Sequence, residues 1–117
     1  MHLEISERQV GDVTVLDLSG KLTIDRDAQH LKDKIQSLIQ QNRTAVVLNL
    51  GNVSYIDSGG LGELVSCYGS LAKIPGGGLK LLNVNKRNHD LLSITRLVTV
   101  FDTYDSEDTA VQSFVRT

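Results

Sequence analysis

Apolar and polar residues alternate at the start of the chain, and one short turn signal interrupts the alternation. The alternating apolar residues are Leu3 and Ile5 before the interruption, and Val13, Val15, Leu16 and Leu18 after it. Gly11-Asp12 lies between the two runs, and such a dipeptide between alternating runs is typical of a β-hairpin. The pattern therefore predicts two antiparallel strands, the second of which ends at Gly20.

After Gly20 the apolar residues recur at spacings of three and four, which is typical of an amphipathic helix. This helix is expected from Asp25, with Asp25 or Asp27 as its N-cap. Its predicted buried stripe consists of Ala28, Leu31, Ile35, Leu38 and Ile39. Residues 40–43 are polar and predict the end of the helix.

Three repeats of a strand and a helix are predicted in the rest of the chain. Residues 45–48 are apolar on both faces, which suits a central parallel strand that is covered on two sides. Residues 79–84 are predicted as a second buried strand, after a break at Pro75-Gly76-Gly77-Gly78, and residues 98–101 as a last short strand.

The three helices of these repeats are predicted from cap signals and apolar spacing. The first begins at about Ser58, the second follows a cap at Asn85, and the third follows a cap at Asp105 or Ser106. Their predicted inward residues are Leu61, Leu64, Val65, Tyr68, Leu71 and Ala72 in the first, Leu91, Leu92 and Ile94 in the second, and Ala110, Val111, Phe114 and Val115 in the third.

This order of elements predicts an α/β fold in which residues 1–117 form one domain. Its mixed central sheet would begin with the antiparallel hairpin and continue with parallel strands, with helices packed on it. Functional loops collect at the carboxyl ends of parallel strands. Residues 49–58 are therefore predicted to be the loop that carries the site.

Composition and charge exclude several classes of protein. The chain has 117 residues, of which 40% are apolar and 22% charged, and its formal net charge is −2. Its scattered lysine and arginine residues form no basic patch, so we expect no nucleic-acid partner. The N-terminus lacks a signal-peptide profile, and no apolar run is long enough to cross a bilayer. We therefore expect a cytoplasmic protein with no membrane association.

The sequence Tyr55-Ile56-Asp57-Ser58-Gly59-Gly60-Leu61-Gly62 places three glycines in the first turn of a predicted helix. Each glycine costs roughly 0.5–1 kcal/mol relative to alanine in a helix interior, and local costs without a folding reason tend to mark functional sites. In a structural interpretation, Asp57 or Ser58 caps the helix and the glycines let it pack tightly on the sheet. In a functional interpretation, Ser58 is exposed so that a kinase and a partner surface reach it. The residues alone leave both interpretations open.

The signatures of common enzymes are not met. A serine-hydrolase elbow requires glycine two residues before the serine, where this chain has Ile56. The glycine cluster lacks the Lys-Ser/Thr pair of a phosphate-binding loop and the spacing of a dinucleotide fingerprint. The three histidines show no ligand spacing, and Cys67, the single cysteine, is interpreted as a small buried residue. We therefore expect no metal, no cofactor and no catalytic residue.

A phosphate on Ser58 would add about −1.5 to −2 charges and three acceptor oxygens. A helix N-terminus would tolerate this group, with a stabilisation of about 0.3–1 kcal/mol, so the fold is expected to survive. At a packed interface, burying an unpaired dianion costs several kcal/mol, and about 4 kcal/mol changes affinity roughly a thousandfold. Phosphorylation there would be an off switch for an interface.

Over nearly its whole length the chain resembles the STAS domain family, most closely the free-standing anti-sigma factor antagonists. The resemblance rests on the hairpin, on Leu18-Ser19-Gly20-Lys21-Leu22, on residues 46–50, and on Tyr55-Ile56-Asp57-Ser58 with Gly60-Leu61-Gly62. It implies that Ser58 is phosphorylated by an anti-sigma factor serine kinase with a histidine-kinase-like ATPase fold. The unphosphorylated protein would bind that kinase and release the sigma factor, and a metal-dependent serine phosphatase would restore this form. ATP and magnesium would belong to the kinase, so the chain itself would not be an enzyme.

Two positions depart from the family pattern. Gly59 replaces a second Ser or Thr, and Thr23 stands where the family often has an aspartate, which Asp25 would replace from two positions away. The resemblance implies partner contacts at Thr23, Asp25, Asp57, Ser58, Gly59, Gly60, Leu61 and Gly62. These departures give some support to an alternative, a non-phosphorylated STAS adaptor subunit of a transport or stressosome-like signalling complex.

Overall fold

Five strands form one mixed sheet in the computed structural model, which describes residues 2–24 and 26–114. The strands are β1 (Glu4–Val10), β2 (Val13–Leu22), β3 (Ala45–Ile56), β4 (Gly78–Leu82) and β5 (Thr103–Tyr104), and they lie in that order across the sheet. β1 pairs antiparallel with β2, and every other neighbouring pair is parallel. The predicted α/β fold, with its antiparallel hairpin followed by parallel strands, is confirmed.

Helices cover both faces of this sheet. They are α1 (Arg26–Gln40), α2 (Ser58–Ala72), α3 (Lys86–Ile94) and α4 (Glu107–Gln112). The larger core cluster joins α1, α2 and α3 to alternate residues of the central strands, among them Leu16, Leu18, Val46, Leu48 and Leu81. Other residues of the same strands form a second cluster with Ala110 of α4, namely Val13, Val15, Val47 and Leu82. The two-sided burial explains why the central strands are apolar on both faces.

β3 is much longer than the sequence predicted, because residues 49–56 are strand and not loop. Its first part, Ala45 to Asn49, pairs with β4, while its last part pairs with the end of β2. Beyond the end of β4, the carbonyl oxygen of Val53 accepts hydrogen bonds from the side-chain amides of Asn85 (3.1 Å) and Asn88 (2.9 Å). These two side chains therefore supply donors where no neighbouring strand is present. Since β3 ends at Ile56 and α2 begins at Ser58, only Asp57 remains of the predicted site loop.

Gly20 does not end the second strand, since β2 continues to Leu22. The backbone of Gly20 has a φ of +112°, and a Cβ there would lie 2.8 Å from the carbonyl oxygen of His2. The glycine therefore admits the N-terminal segment against the strand and does not terminate the pairing.

The last part of the chain contains the other differences in strands and caps. Residues 98–101 were predicted as a strand, but Leu97–Thr99 is a 3-10 helix and the last strand is β5. β4 ends at Leu82, two residues earlier than predicted. The caps at Asn85 and Ser106 are confirmed, and the alternative cap at Asp105 is wrong.

The predicted helix stripes are largely buried, with exceptions at their margins. Val65, Ala72 and Ile94 are exposed, since each lies at the edge of its apolar stripe and faces away from the sheet. Val115 lies outside the described residues. Within the described ranges, no helix combines the length and the apolar character that crossing a bilayer requires.

Candidate functional site

The start of α2 is fixed by a side-chain cap. Asp57 has an extended backbone, and its Oδ1 accepts a hydrogen bond from the amide of Gly60 at 2.8 Å. This confirms a capped helix start and assigns the cap to Asp57, not to Ser58. Ser58 is the first residue of the helix, and its side chain is exposed.

Asp57 also fixes the connection between β2 and α1. Both of its carboxylate oxygens accept from the amide N–H of Ile24 at 3.1 Å. Its own amide donates to the carbonyl oxygen of Leu22 at 3.2 Å. One carboxylate therefore joins the start of α2 to the β2–α1 connection, and the exposed Ser58 sits where the two segments meet.

Two of the three glycines have a folding reason, which supports the structural interpretation that they let the helix start pack closely. A Cβ at Gly60 would lie 2.2 Å from the carbonyl oxygen of Leu22, and a Cβ at Gly59 would lie 2.5 Å from the Cβ of Ile24. Both glycines let the first turn of α2 approach the β2–α1 connection closely. Of the three, only Gly62 has open space beside its Cα, since a Cβ there would meet no atom within 4 Å.

Asp27 does not cap α1, because it is the second residue of that helix and its side chain is buried. Its carboxylate accepts from the amide of Leu3 at 3.0 Å and from the hydroxyl of Thr23 at 2.8 Å. Burial by itself raises the pKa of Asp27, but these hydrogen bonds outweigh burial and hold the pKa below its usual range. The other predicted cap, Asp25, lies outside the described residues. Asp27 thus anchors the β2–α1 connection to the N-terminal segment.

The residues predicted to contact a partner differ widely in accessibility. Ser58 and Gly62 are exposed, while Thr23, Asp57 and Gly59 are half-buried. Gly60 and Leu61 are buried, and Leu61 is part of the larger core cluster. The structure brings all of the described ones to one end of the sheet, at the carboxyl ends of β2 and β3.

No described base is hydrogen-bonded to Ser58, so its hydroxyl is not activated as a catalytic nucleophile. Its hydroxyl forms no hydrogen bond with any described residue. The amides of Ser58 and Gly59 likewise have no acceptor among residues 2–24 and 26–114, so they are available to an anionic group at this helix start. In the same ranges, no group of three or more His, Cys, Asp or Glu side chains is arranged to hold a metal ion.

Cys67, the other residue with a reactive side chain, is buried in the core. It is 3% exposed, and its thiol donates to Oε2 of Glu63 at 3.3 Å. Burial raises the pKa of the thiol well above its usual range, with a further contribution from Glu63. The thiolate is therefore disfavoured, and the interpretation of Cys67 as a small buried residue is confirmed.

Ile24 was not identified from the sequence, although it lies directly beside the site. Its side chain is 61% exposed, and it borders Gly59. No local signal could have found it, because its spacing to Ala28 and Leu31 matches the buried stripe of α1. It faces outward only because α1 begins after it, at Arg26.

Comparison with known proteins places this geometry in context. A family model described as the STAS domain matches residues 4–110. An anti-sigma F factor antagonist of Paenibacillus polymyxa is 31% identical over 114 residues, which cover 95% of this chain and 94% of that protein. An anti-sigma-B factor antagonist of Bacillus subtilis strain 168 is 30% identical over 112 residues, which cover 96% and 100%. A Thermotoga maritima crystal structure, of a protein provisionally named an anti-sigma factor antagonist, aligns with a TM-score of 0.87 and 26% identity over 96% of this chain and 95% of that one.

Proposed function

The chain belongs to the STAS domain family, and we propose that it is an anti-sigma factor antagonist whose partner binding is switched off by phosphorylation of Ser58. The names of its relatives support the antagonist function. The observation that carries the switch is the position of Ser58, which is exposed at a capped helix start and has no hydrogen-bond partner among the described residues.

In the unphosphorylated state, the protein binds an anti-sigma factor serine kinase with a histidine-kinase-like ATPase fold and releases the sigma factor. The contact surface surrounds Ser58 and includes the end of the β2–α1 connection. Because a Cβ at Gly62 would meet no atom within 4 Å, the surface there is open and the kinase backbone approaches the start of α2 closely. The kinase supplies ATP and magnesium, so this chain is a ligand and a substrate and needs no cofactor of its own.

Phosphorylation weakens binding through charge and leaves the fold intact. The phosphate is attracted to the positive end of the α2 dipole and accepts hydrogen bonds from the amides of Ser58 and Gly59. Together these interactions stabilise the dianion while it is exposed to solvent. The carboxylate of Asp57 next to it is already held by two backbone amides and opposes the phosphate only modestly. When the kinase covers this surface, the dianion loses its water and has no cation to pair with, which costs several kcal/mol.

The cycle is completed by a metal-dependent serine phosphatase that restores the unphosphorylated form. We place this exchange in the cytoplasm, with no nucleic-acid and no membrane partner. The chain takes part in it as a regulatory binding protein and not as an enzyme.

The test is phosphorylation and binding by purified kinases. Each histidine-kinase-like serine kinase encoded in the genome that carries this chain is incubated with the protein, ATP and magnesium, and intact mass is measured. We expect one added phosphate with one of these kinases and none on Ser58→Ala. Ser58→Asp is expected to weaken binding to that kinase, measured by calorimetry, by up to roughly a thousandfold. Its melting temperature should stay within a few degrees of wild type, because Asp at the first helix position suits the helix dipole.

A phosphate retained by Ser58→Ala would contradict the assigned acceptor. An unchanged mass with every kinase would contradict the switch and favour the alternative of a non-phosphorylated STAS adaptor. A pull-down then separates the two functions, since an adaptor would recover a transport ATPase or stressosome-like proteins and no serine kinase.

A further inference from the structure

The β2–α1 connection presents one large apolar side chain to solvent beside the proposed phosphoacceptor. Ile24 is 61% exposed and belongs to neither core cluster. A single exposed apolar residue is common on protein surfaces and by itself indicates nothing. Two features together single out Ile24: it borders Gly59, next to Ser58, and its backbone is held by the carboxylate that caps α2.

The backbone of Ile24 is immobilised from the site itself. Its amide donates to both carboxylate oxygens of Asp57 at 3.1 Å, and the same carboxylate caps the helix that begins at Ser58. On its other side, the connection is anchored by the hydroxyl of Thr23, which donates to the buried Asp27 at 2.8 Å. Ile24 is therefore fixed relative to Ser58 before any partner arrives, so little conformational entropy is lost when it is covered.

The side chain of Ile24 occupies the space that a side chain at position 59 would need. A Cβ on Gly59 would lie 2.5 Å from Cβ and 2.8 Å from Cγ1 of Ile24. Real Cβ atoms do not approach other atoms so closely, so Ile24 in this position and a residue other than glycine at 59 exclude each other. Glycine at position 59 thus allows an apolar surface to lie directly next to Ser58.

We infer that Ile24 is a specificity-determining contact, which enters an apolar pocket of the serine kinase beside the cleft that receives Ser58. The inference rests on the proposed function and adds the chemistry of the partner surface to it. The pocket is apolar because burying Ile24 gains free energy only where the facing surface is apolar as well. A kinase that presents a charged or polar group there loses the hydration of that group without a replacement partner and is rejected.

The experiment measures binding and phosphorylation with the same purified serine kinases used above. Ile24→Ala removes the exposed part of the side chain and keeps the Cβ that borders Gly59. Ile24→Thr keeps the branch at Cβ but replaces the two-carbon branch with a hydroxyl, so it tests added polarity together with the loss of one methyl group. Ile94→Ala is the matched control, because Ile94 is 80% exposed and lies at the far end of α3.

For Ile24→Ala we expect a dissociation constant raised roughly tenfold, with a similar rise in the KM of Ser58 phosphorylation and a nearly unchanged kcat. Ile24→Thr should weaken binding in the same direction, and Ile94→Ala should bind within about twofold of wild type. Melting temperatures and amide spectra of all three variants should match wild type, because both isoleucines are mostly exposed.

Two results would overturn the inference in different ways. If Ile24→Ala and Ile24→Thr bind the kinase as tightly as Ile94→Ala while Ser58→Asp binds weakly, Ile24 is no contact and the proposed function stands. If wild type binds no serine kinase and gains no phosphate, the proposed function fails and the inference fails with it.

Discussion

The starts of α2 and α3 have the same kind of cap, but they differ in whether their other polar side chains are hydrogen-bonded within the fold. Both helices follow parallel strands and begin at the same end of the sheet, where the carboxyl ends of the strands lie. Both are capped by a side chain, Asp57 in α2 and Asn85 in α3. In α3, the side-chain amides of Asn85 and Asn88 also donate to the carbonyl oxygen of Val53, so the polar groups of its start are used inside the fold. In α2, the hydroxyl of Ser58 has no such use among the described residues.

The comparison shows that a capped helix start is not by itself a functional site. The cap is a folding device in both helices, and it stabilises each by a similar amount. What distinguishes α2 is the hydroxyl of Ser58, to which no described residue binds, together with the open space beside Gly62. The start of α3 is instead hydrogen-bonded to β3, and the guanidinium carbon of Arg87 lies 5.1 Å from the ring centroid of Tyr55.

The largest effect that would break this arrangement is expected from Gly60→Ala. A methyl group there would lie 2.2 Å from the carbonyl oxygen of Leu22, so the start of α2 must move away from the β2–α1 connection. We expect a loss of about 3 kcal/mol in the free energy of unfolding, measured by urea denaturation. Gly62→Ala is the matched control, because its methyl group meets nothing within 4 Å, and it should stabilise the helix by about 0.5 kcal/mol. Equal effects of the two substitutions would contradict the close approach described for Gly60.

A smaller loss of stability is expected from removing the two caps. Asp57→Ala loses the cap of α2 and the acceptor for Ile24, and should cost about 2 kcal/mol of stability. Asn85→Ala loses the cap of α3 and one of two donors to Val53, and should cost about 1 kcal/mol.

The two cap variants should differ in function. Only Asp57→Ala should raise the KM for phosphorylation of Ser58, because only Asp57 positions the acceptor. Kinase assays at a temperature where both variants are fully folded check this expectation. An equal loss of phosphorylation in Asn85→Ala would indicate that the two helix starts act as one surface.

The smallest effect on stability is expected from lowering the pH. The pKa of Asp27 is held below its usual range, because hydrogen bonds from Leu3 and Thr23 outweigh the effect of burial. The carboxylate therefore stabilises the fold fully above the unfolded pKa of about 4, and this contribution, about 1 kcal/mol, is lost as the pH falls through the lower folded value. The cap of α3 is an asparagine and does not titrate.

Amide hydrogen exchange measures how pH affects the hydrogen bond to Asp27, which titrates, relative to the bond to Asn85, which does not. Protection of the Leu3 amide, which donates to Asp27, should fall below about pH 4 relative to protection of the Asn88 amide, which donates to Asn85. In Asp27→Asn the ratio of the two protection factors should be independent of pH. A wild-type ratio that stays constant down to about pH 2 would show that Asp27 does not anchor the connection.

The order of elements and the start of α2 were accessible to sequence reasoning because they depend on local patterns. The hairpin at Gly11-Asp12, the apolar run of β3 and the helix after Asp57 each have a signal within a few residues. The length of β3 had none, since Asn49, Gly51 and Asn52 suggest a turn when read alone. The strand continues through those residues because the far end of β2 pairs with this part of β3, and the side-chain amides of Asn85 and Asn88 donate to the carbonyl oxygen of Val53 just beyond them.

Periodicity and short motifs act over neighbouring residues, so the α/β fold and the position of Ser58 at a helix start could be predicted from the order of residues. The reason why Gly59 and Gly60 are glycines, the groups that Asp27 binds and the outward orientation of Ile24 became visible only in the folded protein. Each of these depends on a contact between segments that are distant along the chain, such as the 33 positions between Ile24 and Asp57. Close approach of two backbones leaves no periodic trace in a sequence, so only the assembled sheet and helices reveal it.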